Sequence, residues 1–271
     1  MRVRRTVGLP FFLLFLCSYA PVYGQGAAAL AAPEVVRLAV DEWPPFVSRS
    51  LPGEGMLASL VSTVFERLGD PVHYDYYPWK RTMQIGLGSP RYAGLMAVWR
   101  TAEREKLCHF SVPIGNTLGV LAYLKDNPVS AASLADLKGM RIGTVAGYSN
   151  GEQFDAMSAR GELTAEEGLN DATNLKKLLI GRYRAIVIER HVLQHLLMGS
   201  SFSRADRDRI GVVDKLFAER SVHICFQRNA EGVRQQRRFN EAAREVDTVK
   251  MAREYWKRLD QSLAGMPPVT P

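Results

Sequence analysis

The side chains that could do chemistry in this chain are few in kind. Trp43, Trp79 and Trp99 offer aromatic faces, Arg104 a guanidinium, Tyr148 and Ser149 hydroxyls in a turn bounded by Gly147 and Gly151, and Glu189 a carboxylate. A guanidinium grips a carboxylate through two parallel N–H···O bonds, a carboxylate holds an ammonium, and aromatic faces take the remainder of a ligand. Brought together, these groups describe a cleft for a small zwitterion. Taken singly, each has an ordinary role, since a tryptophan serves as readily in core or rim packing. What needs explaining is how residues spread from position 43 to position 189 could meet.

The residue pattern places most of them at strand ends. Val35 to Val40 reads as a short strand stopped by Pro44 and Pro45, which leaves Trp43 and Phe46 at its C-terminal mouth. Met56, Leu57, Leu60, Val61, Val64, Phe65 and Leu68 mark one face of an amphipathic helix closed by Gly69. Val72 to Tyr77 alternates as a strand ahead of Pro78-Trp79, a short helix covers Arg81 to Ile85, and Ala93 to Trp99 is a buried strand. The order is βαβαβ, which calls for a parallel sheet with helices on its faces. An extended run, Gly119 to Leu124, leads to a second such set. There Ser133 and Asp136 form an approximate capping box around Leu134 to Leu137. Arg141 to Val145 and Ala185 to Ile188 are strands, and Leu175 to Gly181 and Val192 to Met198 are helices. Ser221 to Phe226 is a further strand, and Glu231 to Leu259 is helical with a break near Asp247-Thr248. In open α/β sheets a ligand binds beyond the C-terminal strand ends, where Trp43, Trp79, Trp99, Tyr148 and Glu189 fall, with Arg104 just downstream.

Composition narrows the class. At 271 residues, 46% hydrophobic and 23% charged, the chain is globular rather than disordered and long enough to divide its core into two lobes. The formal charge of +7 would suit a nucleic-acid partner. However, Arg2, Arg4 and Arg5 head an apolar run, Leu9 to Tyr19, too short to span a bilayer, which takes about 20 residues. Val22-Tyr23-Gly24 completes the layout of a secretory signal peptide. Its removal takes three of the 35 basic residues and none of the 28 acidic ones, leaving +4. The run Arg204 to Arg209 alternates in sign and reads as a solvated face rather than a nucleic-acid stripe. The expectation is a monomeric, exported (periplasmic) protein that is not membrane-embedded, takes no cofactor and binds no nucleic acid. Cys108 and Cys225 lie in apolar strand-like stretches and read as buried, unpaired thiols, although an exported compartment permits a disulfide. His191 and His195 have the i, i+4 spacing of two metal ligands but no acidic third partner in sequence, and read as exposed helical histidines.

Several local strings, in order, resemble the family-3 extracellular solute-binding proteins, the amino-acid-type periplasmic binding proteins of ABC importers. The first strand followed by Trp43-Pro44-Pro45-Phe46 is similar to the family's opening, where an aromatic stacks on the ligand. Thr101-Ala102-Glu103-Arg104, followed by Phe110-Ser111 and Pro113, resembles the family's Thr-x-x-Arg stretch, whose Arg clamps the ligand carboxylate. Leu134 to Gly139, Arg141-Ile142-Gly143 and Gly147 resemble the start of the second lobe, and Gly181 to Glu189 the segment whose final acid holds the ligand's amine. Pro78-Trp79-Lys80-Arg81 is similar to a string of divergent members, which makes Arg81 a second candidate for gripping an anion. Departures are also plain: Ala97 and Trp99 stand where the family often carries small hydroxyl residues, and Tyr148 replaces a small polar one. The resemblance implies a more aromatic, less polar pocket than usual.

What it implies overall is an α/β, two-lobed periplasmic-binding-protein fold of type II, each lobe a mixed sheet flanked by helices, with the ligand cleft between lobes. The expected organisation is a signal peptide over 1–24, a lead-in over 25–34, lobe one over 35–122, lobe two over 123–224, a return to lobe one over 225–262 and a tail over 263–271. The implied function is capture of a small polar or zwitterionic solute by hinge closure, near Gly119–Leu124 and Arg220–Arg228, and its presentation to a membrane permease or sensor. Ligand contacts are expected from Trp43, Phe46, Trp79, Arg81, Trp99, Arg104, Tyr148, Ser149 and Glu189. The competing class is an enzyme of the same fold, a cyclohexadienyl-type dehydratase with Glu189 as general acid. No base with a tuned environment can be named for it, so the chain is read as a binding protein.

Overall fold

The computed structural model describes residues 35–264; the expected leader, the lead-in and Gly265 to Pro271 of the tail lie outside the described residues. The first half runs β1 (Val36–Val40), α1 (Met56–Glu66), β2 (Val72–Tyr76), α2 (Trp79–Gly88), β3 (Gly94–Trp99), α3 (Ala102–Glu105) and β4 (Cys108–Phe110), then enters the long strand β5 (Gly115–Leu124). The second half runs β6 (Arg141–Val145), α4 (Glu152–Ala159), β7 (Thr164–Gly168), α5 (Asp171–Leu179), β8 (Ala185–Glu189), α6 (Arg190–Met198), α7 (Arg204–Asp208) and β9 (Ile210–Val213). The chain returns along β10 (Glu219–Gln227) and ends in α8 (Ala230–Ala243) and α9 (Thr248–Ala264).

The strands follow one path, β2-β1-β3-β10-β5-β8-β6-β7, with β4 added to β10 and β9 to β5. β1 pairs parallel with both β2 and β3, as the βαβαβ reading requires. β6 likewise pairs parallel with β7 and β8. Two strands carry the chain between the halves. Gly115–Leu118 of β5 pair antiparallel with Glu219–Val222 of β10, and from Gly119 onward β5 turns to β8. The change of partner at Leu118–Gly119 falls at the start of the segment expected to hinge.

Helix α1 buries Met56, Leu57, Ala58, Leu60, Val61, Val64 and Phe65, the face its spacing foretold, against a core that includes Leu38, Val40, Phe226 and Phe239. Burying a side chain of this size stabilises the fold by about 1.5–3 kcal/mol, so this one face anchors the helix without a side-chain N-cap. The second half has its own cluster around Leu121, Leu137, Ile142, Phe154 and Ala185. β3 lies so close to β10 that a Cβ on Gly94 would run into the Cys225 carbonyl. Farther along that pair a bulge falls between His223 and Cys225, and Ala97 opposite takes φ 63°, a left-handed conformation that a non-glycine residue holds only where its surroundings impose it.

The two cysteines do not remain thiols. Cys108 and Cys225 form a disulfide with Cα atoms 5.4 Å apart. The physical reason is register: β4 and β10 pair antiparallel with Gln227 opposite Cys108 and Cys225 opposite Phe110, which makes the cysteines diagonal neighbours on one face. Two apolar stretches 117 residues apart carry no register in their sequences.

Candidate functional site

Five of the residues singled out by type, Trp43, Trp79, Trp99, Arg104 and Tyr148, line one pocket together with Asp41 and Ala97, and their side chains pack closely enough to leave little free space between them. Each arrives by a short local device. Asp41 and Trp43 follow directly from the end of β1, and Trp79 opens α2 after Pro78. Trp99 ends β3; Thr101 then accepts a hydrogen bond from the Arg104 backbone, capping α3. That single turn folds the Arg104 side chain back on the strand it has just left, Nη1 donating to Trp99 O at 3.0 Å. The bulge at Ala97 adds the pocket's small residue.

The other wall is the loop after β6. Gly147 has φ 79°, and a Cβ there would lie 3.0 Å from Lys80 and 3.3 Å from Trp79, so both conformation and contact demand glycine. Its carbonyl accepts from Trp79 Nε1 at 2.9 Å and from Arg104 Nη2 at 3.3 Å. Next to it the Tyr148 hydroxyl donates to Asp41 Oδ2 at 2.8 Å. The Tyr148 ring stands edge-on to Trp79 and Trp99, with centroids 5.5 and 5.9 Å away, and Trp43 stacks on Phe46 at 4.6 Å. Trp43 Nε1 is buried with no hydrogen-bond partner among the described residues.

The charges in this pocket are under tension. Arg104 is 8% exposed, lies 5.4 Å over the Trp79 ring and belongs to none of the ion pairs of the described residues. Burial first, and then the neighbouring Arg220 guanidinium, pull it down to about 10. Asp41 is 7% exposed, and burial pushes its carboxyl up to about 6 against the lowering effect of the Tyr148 hydroxyl. Asp171, at the start of α5, is pushed up to about 8 by burial and by the charges of Asp41 and Glu189. The pocket thus has a basic side at Arg104 and an acidic side at Asp41. This is the polarity a zwitterion meets.

Four expected residues lie elsewhere. Phe46 is fully buried behind Trp43, edge-on to His191 and Trp256. Arg81 is exposed on α2, 5.1 Å over the Tyr77 ring, beside a separate groove. Ser149 supports the wall: its carbonyl accepts from Arg220 Nη1 at 2.9 Å and its hydroxyl donates to Asp155 at 2.8 Å. Glu189 is buried, but its carboxylate caps α6, accepting from the backbone of His191 at 2.6 Å and Val192 at 2.9 Å, and also from Leu118 at 3.3 Å. With its oxygens so engaged, the carboxylate that lines the pocket is Asp41. Reading by residue type passed over Asp41, although it stands as near its strand end as Trp43 does. The two helical histidines have separate surroundings: His191 stacks on Trp256 at 4.7 Å, while His195 is half-buried and lowered by that burial. Among the described residues no group of three or more His, Cys, Asp or Glu is placed to hold a metal ion.

No family model and no curated protein matches the sequence. Solved structures do match the fold. An ancestral arginine-binding protein bound to arginine superposes with a TM-score of 0.69 at 18% identity, over 84% of this chain and 98% of that one. A histidine kinase sensor domain with similarity to periplasmic binding proteins does so at 0.69 and 17%, over 84% and 96%. An ancestral amino-acid-binding protein described as a precursor of cyclohexadienyl dehydratase follows at 0.65 and 17%, over 83% and 94%. The chain therefore has the two-lobed α/β fold of the periplasmic amino-acid-binding proteins.

Proposed function

We propose that this protein captures a small zwitterion, an amino acid or close relative, and that its closed form is read by a membrane permease or a sensor domain. The observation that carries this reading is Arg104: a guanidinium 8% exposed, without a carboxylate partner, inside an aromatic pocket. A buried unpaired charge is strongly destabilising, and a ligand carboxylate would relieve it through charge-assisted hydrogen bonds. At the other side Asp41 would take the ligand's ammonium, releasing Tyr148, while Trp43, Trp79 and Trp99 enclose the apolar part. The unpartnered Trp43 Nε1 offers one more donor.

Closure would work through the wall loop. Asp41, Trp79 and Arg104 of the first half all bond to residues 147–148 of the second, so entry requires those bonds to open. The β5–β10 crossing is the segment on which the halves would part. The expected leader supports an extracytoplasmic site of action, and the arginine-binding and kinase-sensor structures of the same fold support either kind of reader. Calorimetric titration with amino acids and simple amines tests the reading. Arg104→Ala is expected to weaken a carboxylate-bearing ligand about 30-fold or more, and unchanged affinity would remove the carboxylate assignment.

A second reading rests on Asp41. A carboxyl held at about 6 in an aromatic pocket has the tuning of a general acid, and a dehydratase would use one to protonate a departing hydroxyl. Mass spectrometry after incubation with prephenate-type cyclohexadienes tests this reading: loss of water together with carbon dioxide, whose C–C bond supplies the electrons that expel the hydroxyl, supports catalysis, and unchanged substrate removes the enzymatic reading.

A further inference from the structure

We propose that the ligand carries a second anionic group, so that the cleft selects a dicarboxylic amino acid, one carboxylate at Arg104 and the other at Arg220. This rests on the binding role proposed above and deepens it. Arg220 lies on β10, in the stretch that crosses between the halves, and faces the same groove as Arg104, Tyr148 and Ser149. The two guanidiniums are mounted alike. Arg104 lies on the face of Trp79 and holds the Gly147 carbonyl; Arg220 lies 4.4 Å over the face of Trp99 and holds the Ser149 carbonyl at 2.9 Å. Loop and aromatic faces thus hold two cations side by side, each lowered chiefly by burial, and Arg220 in turn lowers Arg104.

No carboxylate forms an ion pair with either among the described residues. The acids of the groove are otherwise placed: Asp155 accepts from the Ser149 hydroxyl at 2.8 Å and the Asn150 backbone at 2.9 Å, and Glu103 and Glu152 are exposed. Asp155 lends both arginines its field without meeting them. Arg100, the remaining cation of the groove, pairs with Glu105. A guanidinium has five N–H donors, and the protein hydrogen bonds of Arg104 and Arg220 use two on each. The remaining donors and the mutual repulsion are both answered by a ligand with two carboxylates, while the ammonium goes to Asp41.

The test is titration of the protein with L-glutamate, L-aspartate, L-glutamine and L-asparagine, repeated on Arg220→Gln. The acids are expected to bind about 30-fold tighter than their amides, the worth of a charge-assisted hydrogen-bonded pair. In Arg220→Gln that preference falls to about threefold or less. Equal affinity of acids and amides for the unaltered protein, which needs no variant, overturns the second-anion assignment and leaves the amino-acid reading standing. So does a preference for acids that survives in Arg220→Gln. Absence of binding by all four overturns the dicarboxylate assignment, while the amino-acid reading is overturned only if the wider set of amino acids and amines also fails to bind.

Discussion

Replacing Asp41 with asparagine should stabilise the protein at neutral pH and, on the proposed function, weaken its hold on a ligand ammonium. The Asp41 carboxyl rises from 3.8 to about 6 on folding, chiefly through burial. A raised carboxyl contributes stability that is complete below about pH 4 and is lost as the pH climbs through about 6. At about 1.4 kcal/mol per pH unit, a rise of about two units costs about 3 kcal/mol once the group is ionised. Asp41→Asn keeps an acceptor for the Tyr148 hydroxyl at 2.8 Å and deletes the charge. It also relieves Asp171, which Asp41 helps to hold at about 8. Subtracting about 1 kcal/mol for an amide N–H without an assured partner leaves a net gain of about 2 kcal/mol. For a chain of this size that is a rise in Tm of about 4–8 °C. The assay is thermal unfolding of the ligand-free protein and the variant at pH 4.5, 6 and 7.5, with ligand titration in parallel. The gain should be full at pH 7.5 and nearly absent at pH 4.5. A variant no more stable at pH 7.5, or a gain that does not change with pH, refutes the reasoning.

Other perturbations follow from the same geometry. Tyr148→Phe removes the hydroxyl that lowers Asp41, so denaturant titration should show a loss of about 1–2 kcal/mol at pH 7.5 and a smaller one at pH 4.5. The double variant Cys108→Ala, Cys225→Ala opens a link across 117 residues. Chain entropy for a loop of about 100 residues corresponds to about 4.7 kcal/mol, so the variant should melt well below the oxidised protein, and adding reductant should change its melting little.

The elements legible in the sequence were those whose cause is local. The apolar spacing of α1 specifies its buried face, and β6, Arg141–Val145, lies between Gly139 and Gly147, each separated from the strand by a single residue. Ser133 and Asp136 form the capping box that their spacing announced. β7, reading Thr-Ala-Glu-Glu-Gly, carries no apolar alternation and owes its strand to pairing with β6. In the pocket the aromatic residues and Arg104 were legible because bulk and charge at strand ends are unusual. Asp41 was not, because a buried acid and a solvated one have the same letter. Glu189 shows the opposite difficulty. An acid where a strand meets a helix can serve a ligand or cap the helix, and only the hydrogen bonds at its oxygens distinguish the two.

The position of β10 has a kinetic consequence. It lies between β3 and β5 in the sheet, yet it is the last strand to be synthesised. Until residues 219–227 emerge, β3 presents an unpaired edge beside a finished β1, the kind of edge that invites association with another chain. Meanwhile β6, β7 and β8, with their helices, hold nearly all their own partners and can form as a unit during translation. The first half to be made is therefore the second to be completed, and its closure waits on contacts of long sequence separation, the slow class in folding. The strand that brings Arg220 beside the groove of Arg104 and Tyr148 is also the one that ends the exposure of the growing chain.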